Sequence, residues 1–216
     1  MAATNHQVVN LQAMDIQPVV LEGPSVRLVP LSQEHVPQLW DVAKDHMEDI
    51  FRWIPYRMLN YEDVERVVAT ALDEQRRGVS LPFATTEKSS GKAVGSTRFM
   101  NIDVPNRKVE IGSTWIAPAW QRTAVNTEAK YLMLSHAFDQ WGCIRVELKT
   151  DALNQKSRNA ILRIGAKEEG TLRHHMITHS GRLRDTVYFS IMKFEWPHVR
   201  CRIAEKISQG GMKVSC

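Results

Sequence analysis

The order of strand-like and helix-like segments constrains the fold of this 216-residue chain most strongly. Three segments rich in β-branched and aromatic residues follow one another with only short turns between them, which favours an antiparallel meander. A helix, a strand, a second helix and a hairpin come next. This order predicts an α/β fold, with a mixed, mostly antiparallel sheet and helices on both of its faces. The meander strands are residues 81–87, 92–103 and 108–116.

The segments on either side of the meander carry clear start and stop signals. A first strand at residues 25–31 precedes a helix that Ser32 can cap, and Asn60 can cap a second helix that ends at Gly78. After the meander, the predicted elements are a helix at 126–141, a strand at 144–150, a helix at 154–164, and a hairpin at 170–179 and 184–194.

The length suits one domain with a substantial core. We expect a loosely ordered lead-in at residues 1–20, the domain at 21–196 and a tail at 197–216, which we interpret as a frayed or appended helix.

Composition excludes several classes of protein. No apolar run approaches the roughly 20 residues that span a membrane, and the N-terminus lacks the pattern of a secretory signal. The net charge of +4 is too small to indicate a nucleic-acid partner. Three cysteines without metal-ligand spacing, Cys143, Cys201 and Cys216, favour free thiols in the cytoplasm.

The most informative stretch runs from Glu110 to Lys130. A predicted strand ends, a short loop follows, and a helix begins near Asn126, so the loop presents backbone N–H groups at a helix N-terminus. Such a terminus can hold a phosphate or pyrophosphate, and Arg122 and Lys130 would add positive charge. Taken alone, the same pattern also describes an ordinary strand–loop–helix connection.

The order of elements and residues 109–129 resemble the GCN5-related N-acetyltransferase (GNAT) superfamily, especially its RimJ/RimL-type branch, named for ribosomal-protein-alanine acetyltransferases. The resemblance covers residues 22–195. It implies that acetyl-CoA binds in a V-shaped split between two central parallel strands, residues 108–116 and 144–150. In this family the first of those strands carries a bulge whose backbone pairs with the pantetheine arm, and the following loop cradles the pyrophosphate.

The resemblance assigns the cofactor contacts residue by residue. The family's loop has the form (Gln/Arg)-x-x-Gly-x-(Gly/Ala), and here Ala124 and Asn126 replace its two small residues. Ala124 fits if its φ is negative, and Asn126 is a favoured helix cap. The implied cofactor-binding residues are Trp115, Ile116, Ala117, Gln121, Arg122, Thr123, Ala124, Val125, Asn126 and Thr127.

Two residues at the start of the next helix are further candidates. By resemblance, Asn154 hydrogen-bonds the pantetheine, and the Ser157 hydroxyl lies near the cofactor sulfur, where it can protonate the leaving thiolate. Either residue also has an ordinary explanation, Asn154 as an N-cap and Ser157 as a small helical residue.

Transfer to an amine needs a base, because a protonated amine is not a nucleophile. The candidates are Glu110, which would act through water, His174 and His175. Adjacent strand residues point to opposite faces, so at most one of these histidines faces the cleft. The same divergence argues against a metal site formed with His179, and no metal is expected.

The leading hypothesis is an enzyme that transfers the acetyl group of acetyl-CoA directly to a primary amine in a ternary complex. The acceptor is a small molecule or a protein or peptide N-terminus, and the branch resemblance favours the latter. Two alternatives remain open: an acyltransferase that uses another donor such as succinyl-CoA, and a non-catalytic CoA-binding protein. Neither a nucleic-acid nor a membrane partner is expected, and a homodimer is expected only by analogy.

Overall fold

The computed structural model describes residues 14–209, which form one eight-stranded sheet of order β1-β2-β3-β4-β5-β6-β8-β7. The strands are β1 (Leu21–Glu22), β2 (Val26–Pro30), β3 (Ser80–Glu87), β4 (Ala93–Asp103), β5 (Lys108–Ile116), β6 (Arg145–Asp151), β7 (Lys167–Ile177) and β8 (Leu183–Met192). Only β5 and β6 pair in parallel among these strands, and the remaining pairs are antiparallel. The predicted mixed sheet, with its antiparallel meander, is therefore confirmed.

Six α-helices accompany the sheet in this part of the chain: α1 (Val36–Ala43), α2 (Met47–Phe51), α3 (Tyr61–Arg76), α4 (Val125–Ser135), α5 (Gln155–Arg163) and α6 (Trp196–Gln209). A π-helical turn, His136–Gln140, extends α4. As predicted, Asn60 caps α3, since its Oδ1 accepts a hydrogen bond of 2.9 Å from the Asp63 N–H. Gly78 follows that helix with a φ of +73°, which glycine adopts without strain.

Two apolar clusters lie on opposite faces of the sheet. One packs α1, α2 and α3 against the half formed by β2, β3 and β4, and the other packs α4 and α6 against the opposite face. Helices thus cover both faces, as predicted. The face of β5, β6 and β8 beside α1–α3 instead carries mostly polar and charged residues, and several of them are buried.

The C-terminal helix belongs to this core. Trp196, Val199, Ile203 and Ile207 of α6 are buried, so residues 197–209 complete the domain instead of forming the appended tail that the sequence suggested. At the other end, Met14 is buried, although it lies in the predicted lead-in. The rest of the expected tail and lead-in, residues 210–216 and 1–13, lies outside the described residues.

Candidate active site

A split opens between the two parallel strands. Their register runs from Lys108 opposite Arg145 to Glu110 opposite Glu147, and there the pairing stops. Both strands continue, β5 to Ile116 and β6 to Asp151. Among residues 14–209 no strand pairs with the continuing edge of β5 on that side, which leaves backbone groups of this edge available to an extended ligand. This is the predicted V-shaped split.

A β-bulge lies in the separated part of β5. Gly112 pairs with Arg98 and Trp115 with Ser96, so Ser113 and Thr114 together face the single residue between those partners. Ser113 has a φ of +47°, a left-handed value that is uncommon for a residue other than glycine. A bulge re-aims the backbone groups of a strand, and bulges occur frequently beside active sites.

The loop after β5 ends at a helix N-terminus, as predicted. Arg122 has a φ of +62°, whereas Ala124 has a φ of −68° and occupies the N-cap position of α4. The loss of glycine at position 124 therefore costs nothing in backbone strain, because the left-handed residue is Arg122. Asn126 does not cap the helix as expected: α4 begins at Val125, which places Asn126 in its first turn.

A groove of about 950 Å³ opens at this helix N-terminus. Its lining includes the loop residues Arg122, Thr123 and Ala124, the start of α4, and basic side chains that the sequence argument had not assigned. These are Lys88, Arg163 and Lys206, contributed by the β3–β4 turn, α5 and α6. Basic side chains around a helix N-terminus make a favourable environment for phosphate. Only the tertiary fold brings these three segments together, so local sequence signals could not have found them.

On the other side of the split, Asn154 caps α5. Its Oδ1 accepts a hydrogen bond of 3.0 Å from the Ser157 N–H, so the capping role is real and the Asn154 side chain stands beside the split. Lys156 donates a hydrogen bond to the Gln121 side chain and so links α5 to the loop after β5. Gln121 in turn donates to the Ile116 carbonyl at 2.7 Å.

Two other residues predicted to contact the cofactor already make contacts within the fold. The Ala117 N–H donates to the Val94 carbonyl at 2.8 Å, so that donor already has a partner. The Trp115 ring packs edge-on against Phe51, with ring centroids 5.1 Å apart. Any contact from Trp115 to a cofactor would therefore come from its backbone.

Lys130 does not lie at the loop, contrary to expectation. Its amine is buried beneath the bulge, 3.2 Å from Thr97 Oγ1 and 2.6 Å from Thr114 Oγ1. Residue 130 is in the second turn of α4, on the face that packs against the sheet, and this turns the side chain away from the groove.

Glu110 is buried, 2% exposed, on the polar face of the sheet. Its Oε2 accepts hydrogen bonds from Lys149 Nζ at 2.9 Å and Asn101 Nδ2 at 2.8 Å. Its Oε1 lies beside Gly112, where an added Cβ would be 3.0 Å away. The carboxylate is thus held at the last paired position of β5, where the split begins.

The two histidines of β7 are placed differently from each other. His174 lies in a second bulge with a φ of +48°, and its N–H donates to Asp185 Oδ1 at 2.7 Å. The His175 ring packs edge-on against Tyr188, 5.8 Å between centroids, and the same Tyr188 ring lies 5.6 Å from Lys149 Nζ. His175 therefore packs on a ring that also lies near Lys149, the partner of Glu110, and His174 is held by a backbone contact.

Comparison with known proteins decides the family. The profile of the Acetyltransferase (GNAT) domain matches residues 25–167, more than half of the chain. This chain belongs to the GNAT family. The "Putative ribosomal N-acetyltransferase YdaF" of Bacillus subtilis (strain 168) is 30% identical over 172 residues, 66% of this chain and 93% of that protein.

Solved structures agree with this GNAT assignment. A GCN5-related N-acetyltransferase from Brucella melitensis superposes with a TM-score of 0.81 at 32% identity, covering 88% of this chain and 86% of that one. Mycobacterium smegmatis RimJ, solved in complex with CoA-disulfide, has a TM-score of 0.78 at 21% identity over 93% and 99% of the two chains, and so shows the shared fold. The resemblance to the RimJ/RimL-type branch is confirmed, and the chain is an acyltransferase.

A set of charged residues on the polar face, named here the paired cluster, extends the GNAT site beyond the predicted residues. Asp151 is buried and pairs with Arg182, while Arg184 Nε lies 3.9 Å from its Oδ2. Arg182 also stacks over the Trp53 ring, 5.6 Å from its centroid, and Arg184 donates to the Trp53 carbonyl at 3.2 Å. The structure shows that Asp151 binds both arginines.

Three further observations describe the part of the chain from residue 14 to 209. Burial raises the pKa of the Cys143 thiol to about 11, so this thiol is a poor nucleophile. No cluster of three or more His, Cys, Asp or Glu side chains is arranged to hold a metal in this region. Nor is any helix among these residues long and apolar enough to cross a membrane.

Proposed function

We propose that this GNAT acyltransferase moves the acetyl group of acetyl-CoA to a primary amine at the N-terminus of a protein, directly and within a ternary complex. The observation that carries the proposal is the continuity of the site. The loop that follows β5 lines the groove at the start of α4, and Glu110 lies at the closed end of the split, so one strand and its loop connect the two parts of the site.

The groove supplies the site for the phosphates. The first N–H groups of α4 lack helical partners, and Arg122, Arg163 and Lys206 surround them. The free edge of β5 then offers backbone groups to the amides of the pantetheine arm, with Asn154 on the opposite side of the split.

The surroundings of the bulge favour acetyl over succinyl donors. A cavity of about 30 Å³ lies next to Ser113 and Trp115 and is lined mostly by apolar side chains, which suits a methyl group better than a carboxylate. Arg98, which lines this cavity, already pairs with Glu74 at 2.6 Å and donates to Ser113 Oγ at 2.9 Å. The Arg98 guanidinium therefore already has partners that a succinyl carboxylate would have to replace.

Direct transfer is favoured because Cys143, the cysteine next to β6, is buried and protonated. An acyl-enzyme would need an activated thiolate. For the base we favour Glu110 acting through water, since both of its donors contact Oε2 and no described residue donates to Oε1. His175 is the second candidate, by its place beside Tyr188.

The acceptor is inferred from the relative named as a ribosomal N-acetyltransferase. A ribosomal protein would place the enzyme in the cytoplasm, which the free thiols of Cys143 and Cys201 also favour. Small-molecule amines remain the alternative. The homodimer stays a prediction, as does the absence of a nucleic-acid partner.

Calorimetric titration with acetyl-CoA, CoA and succinyl-CoA tests the donor. We expect acetyl-CoA to bind with a micromolar Kd, and Asn154→Ala to weaken binding about tenfold, the loss of one good hydrogen bond. The matched control is Asn60→Ala, which also removes an N-cap, from α3, and should leave binding unchanged. Tighter binding of succinyl-CoA, or equal effects of the two variants, would contradict these assignments.

Turnover with N-terminal peptides of ribosomal proteins, set against polyamines and amino acids, tests the acceptor. Glu110→Gln should lower kcat by about 100-fold, the scale of general base catalysis, with little change in acetyl-CoA affinity. If wild type binds acetyl-CoA but acetylates none of these amines, the non-catalytic alternative gains support. If only small amines react, the protein acceptor is wrong.

A further inference from the structure

Lys130 is buried in an unusual environment. Its side chain is 6% exposed, and its amine contacts two threonine hydroxyls, Thr97 Oγ1 at 3.2 Å and Thr114 Oγ1 at 2.6 Å. The two hydroxyl oxygens are 2.7 Å apart, so the three groups form a closed triangle. We name it the threonine–lysine cluster.

No carboxylate among residues 14–209 pairs with this amine, and burial is what lowers the Lys130 pKa from its usual 10.5 to about 7. The groups that face it are the hydroxyls of Thr97 on β4 and Thr114 on β5, together with the Met133 sulfur of α4, which lies 3.6 Å from Thr97 Oγ1. A methionine or leucine at position 130 would fill similar space without the cost of burying an amine. Stability of the fold therefore does not explain the lysine.

The location of the cluster does suggest a role. Thr114 is one of the two bulge residues of β5, beyond the last parallel pair at Glu110. The amine thus holds the bulge from the α4 face of the sheet, at the segment whose outer edge borders the split. On the opposite face, Arg98 contacts the other bulge residue, Ser113. Two cations thus contact the bulge from opposite faces, and of the two only Arg98 has a carboxylate partner among the described residues, Glu74.

We propose that Lys130 is a cationic positioning residue for the acyl donor: through Thr114 it fixes the bulge of β5 against the pantetheine arm and thioester of bound acyl-CoA. This inference rests on the proposed function. The protonated amine donates to both hydroxyls, which frees the Thr114 hydroxyl hydrogen to bind the Gly112 carbonyl, 3.4 Å away. The neutral amine keeps two N–H donors and gains a lone pair, so either hydroxyl can also donate to it, and the geometry of the bulge is then less tightly determined.

Binding of acetyl-CoA at pH 6.5 and pH 8.5 tests the proposal in wild type, Lys130→Met, Thr114→Val and the control Lys44→Met. Lys44 is an exposed lysine paired with Asp41 at 2.7 Å. At pH 6.5 we expect Lys130→Met and Thr114→Val each to weaken binding about tenfold, since each removes a hydrogen bond that involves a charged group. Lys44→Met should bind as wild type does.

The pH comparison separates a cationic role from simple packing. The wild-type advantage over Lys130→Met should shrink by pH 8.5, because the buried amine has by then lost its proton. Ionisation of the cofactor phosphate is common to all four proteins and cancels in the ratio. An equal Kd for wild type and Lys130→Met at both pH values, or a ratio that does not change with pH, would overturn the proposal.

Thr114→Val serves as a second test if Lys130→Met fails to fold, because it leaves Lys130 bonded to Thr97. Unchanged binding by Thr114→Val would then be the overturning result. If wild type binds no acetyl-CoA, the proposed function fails and this inference fails with it. Tight binding by wild type, matched by both cluster variants, overturns only the role of Lys130.

Discussion

At the split, the buried charged side chains on the two faces of the sheet have different kinds of partner. On the polar face, the buried carboxylate of Asp151 is matched by Arg182 and Arg184 in the paired cluster, and Glu110 is matched by Lys149. On the α4 face, Lys130 is buried, and its partners in the described part of the chain are two hydroxyls. The first arrangement compensates its charges, and the second leaves the Lys130 amine without a carboxylate partner among residues 14–209.

This contrast separates buried charges that the stability of the fold explains from one that needs a functional explanation. Charges that neutralise one another can persist because removing either partner destabilises the fold. A buried amine without a counterion lowers stability, so its presence is better explained by what it does for the bulge. Residues that oppose stability concentrate at functional sites.

Removal of Asp151 should give the largest effect. Asp151→Asn leaves the buried Arg184 without its carboxylate, and breaking such a pair costs about 3–5 kcal/mol of unfolding free energy. Urea unfolding of this variant should be compared with Asp73→Asn, an exposed carboxylate that pairs with Arg76 and Arg77. The control should lose less than about 1 kcal/mol. Equal losses in the two variants would show that the paired cluster is not compensated as described.

Much of this fold could be predicted from the sequence, because short turns and caps are local signals. The meander and the cap at Asn60 depend on neighbouring residues and were found. The role of α6 was missed, because its polar surface resembles a solvated tail. Its buried residues Val199, Ile203 and Ile207 meet the core only through tertiary packing.

The candidate site was also predicted only in part, through its local signals. The loop before α4 was located from a strand–loop–helix pattern, whereas the left-handed residue proved to be Arg122 and the first glycine's replacement, Ala124, is unstrained. No pattern in the sequence indicates which face of α4 meets the sheet, so Lys130 was assigned to the loop. Its contact with Thr114 spans 16 residues and exists only because the bulge lies under the second turn of the helix.

The next largest effect is expected in the pH dependence of the unfolding free energy. The folded-state pKa of Lys130 is lowered to about 7, and the unfolded chain retains the usual 10.5. Unfolding therefore takes up a proton between those values, and this group's contribution makes the protein more stable as pH rises from 7 towards 10.5. The slope is about 0.7 kcal/mol per pH unit at pH 7, where the folded amine is half protonated, and approaches about 1.4 above pH 8, which gives about 2.3 kcal/mol between pH 7 and 9.

Lys130→Met removes this proton uptake. The unfolding free energy of wild type minus that of the variant should rise across the pH 7–9 window, and at pH 7 the variant should be at least as stable as wild type. Urea melts of both proteins at each pH measure this difference. A constant difference would mean that the lysine keeps its proton when folded, and a much less stable variant would mean that a stabilising partner of the amine exists.

The smallest effect is expected within the threonine–lysine cluster itself. Thr114→Val removes one hydroxyl from the triangle while Thr97 keeps its contact with Lys130, so the loss should be about 1 kcal/mol, the usual net worth of one hydrogen bond. Ser113→Ala is the matched change on the opposite face, where Arg98 retains Glu74. Similar small losses in unfolding free energy, together with weaker acetyl-CoA binding in Thr114→Val alone, would assign the functional contact to the uncompensated side. If Ser113→Ala weakens binding equally, both cations position the bulge, and the contrast between the two faces concerns stability only.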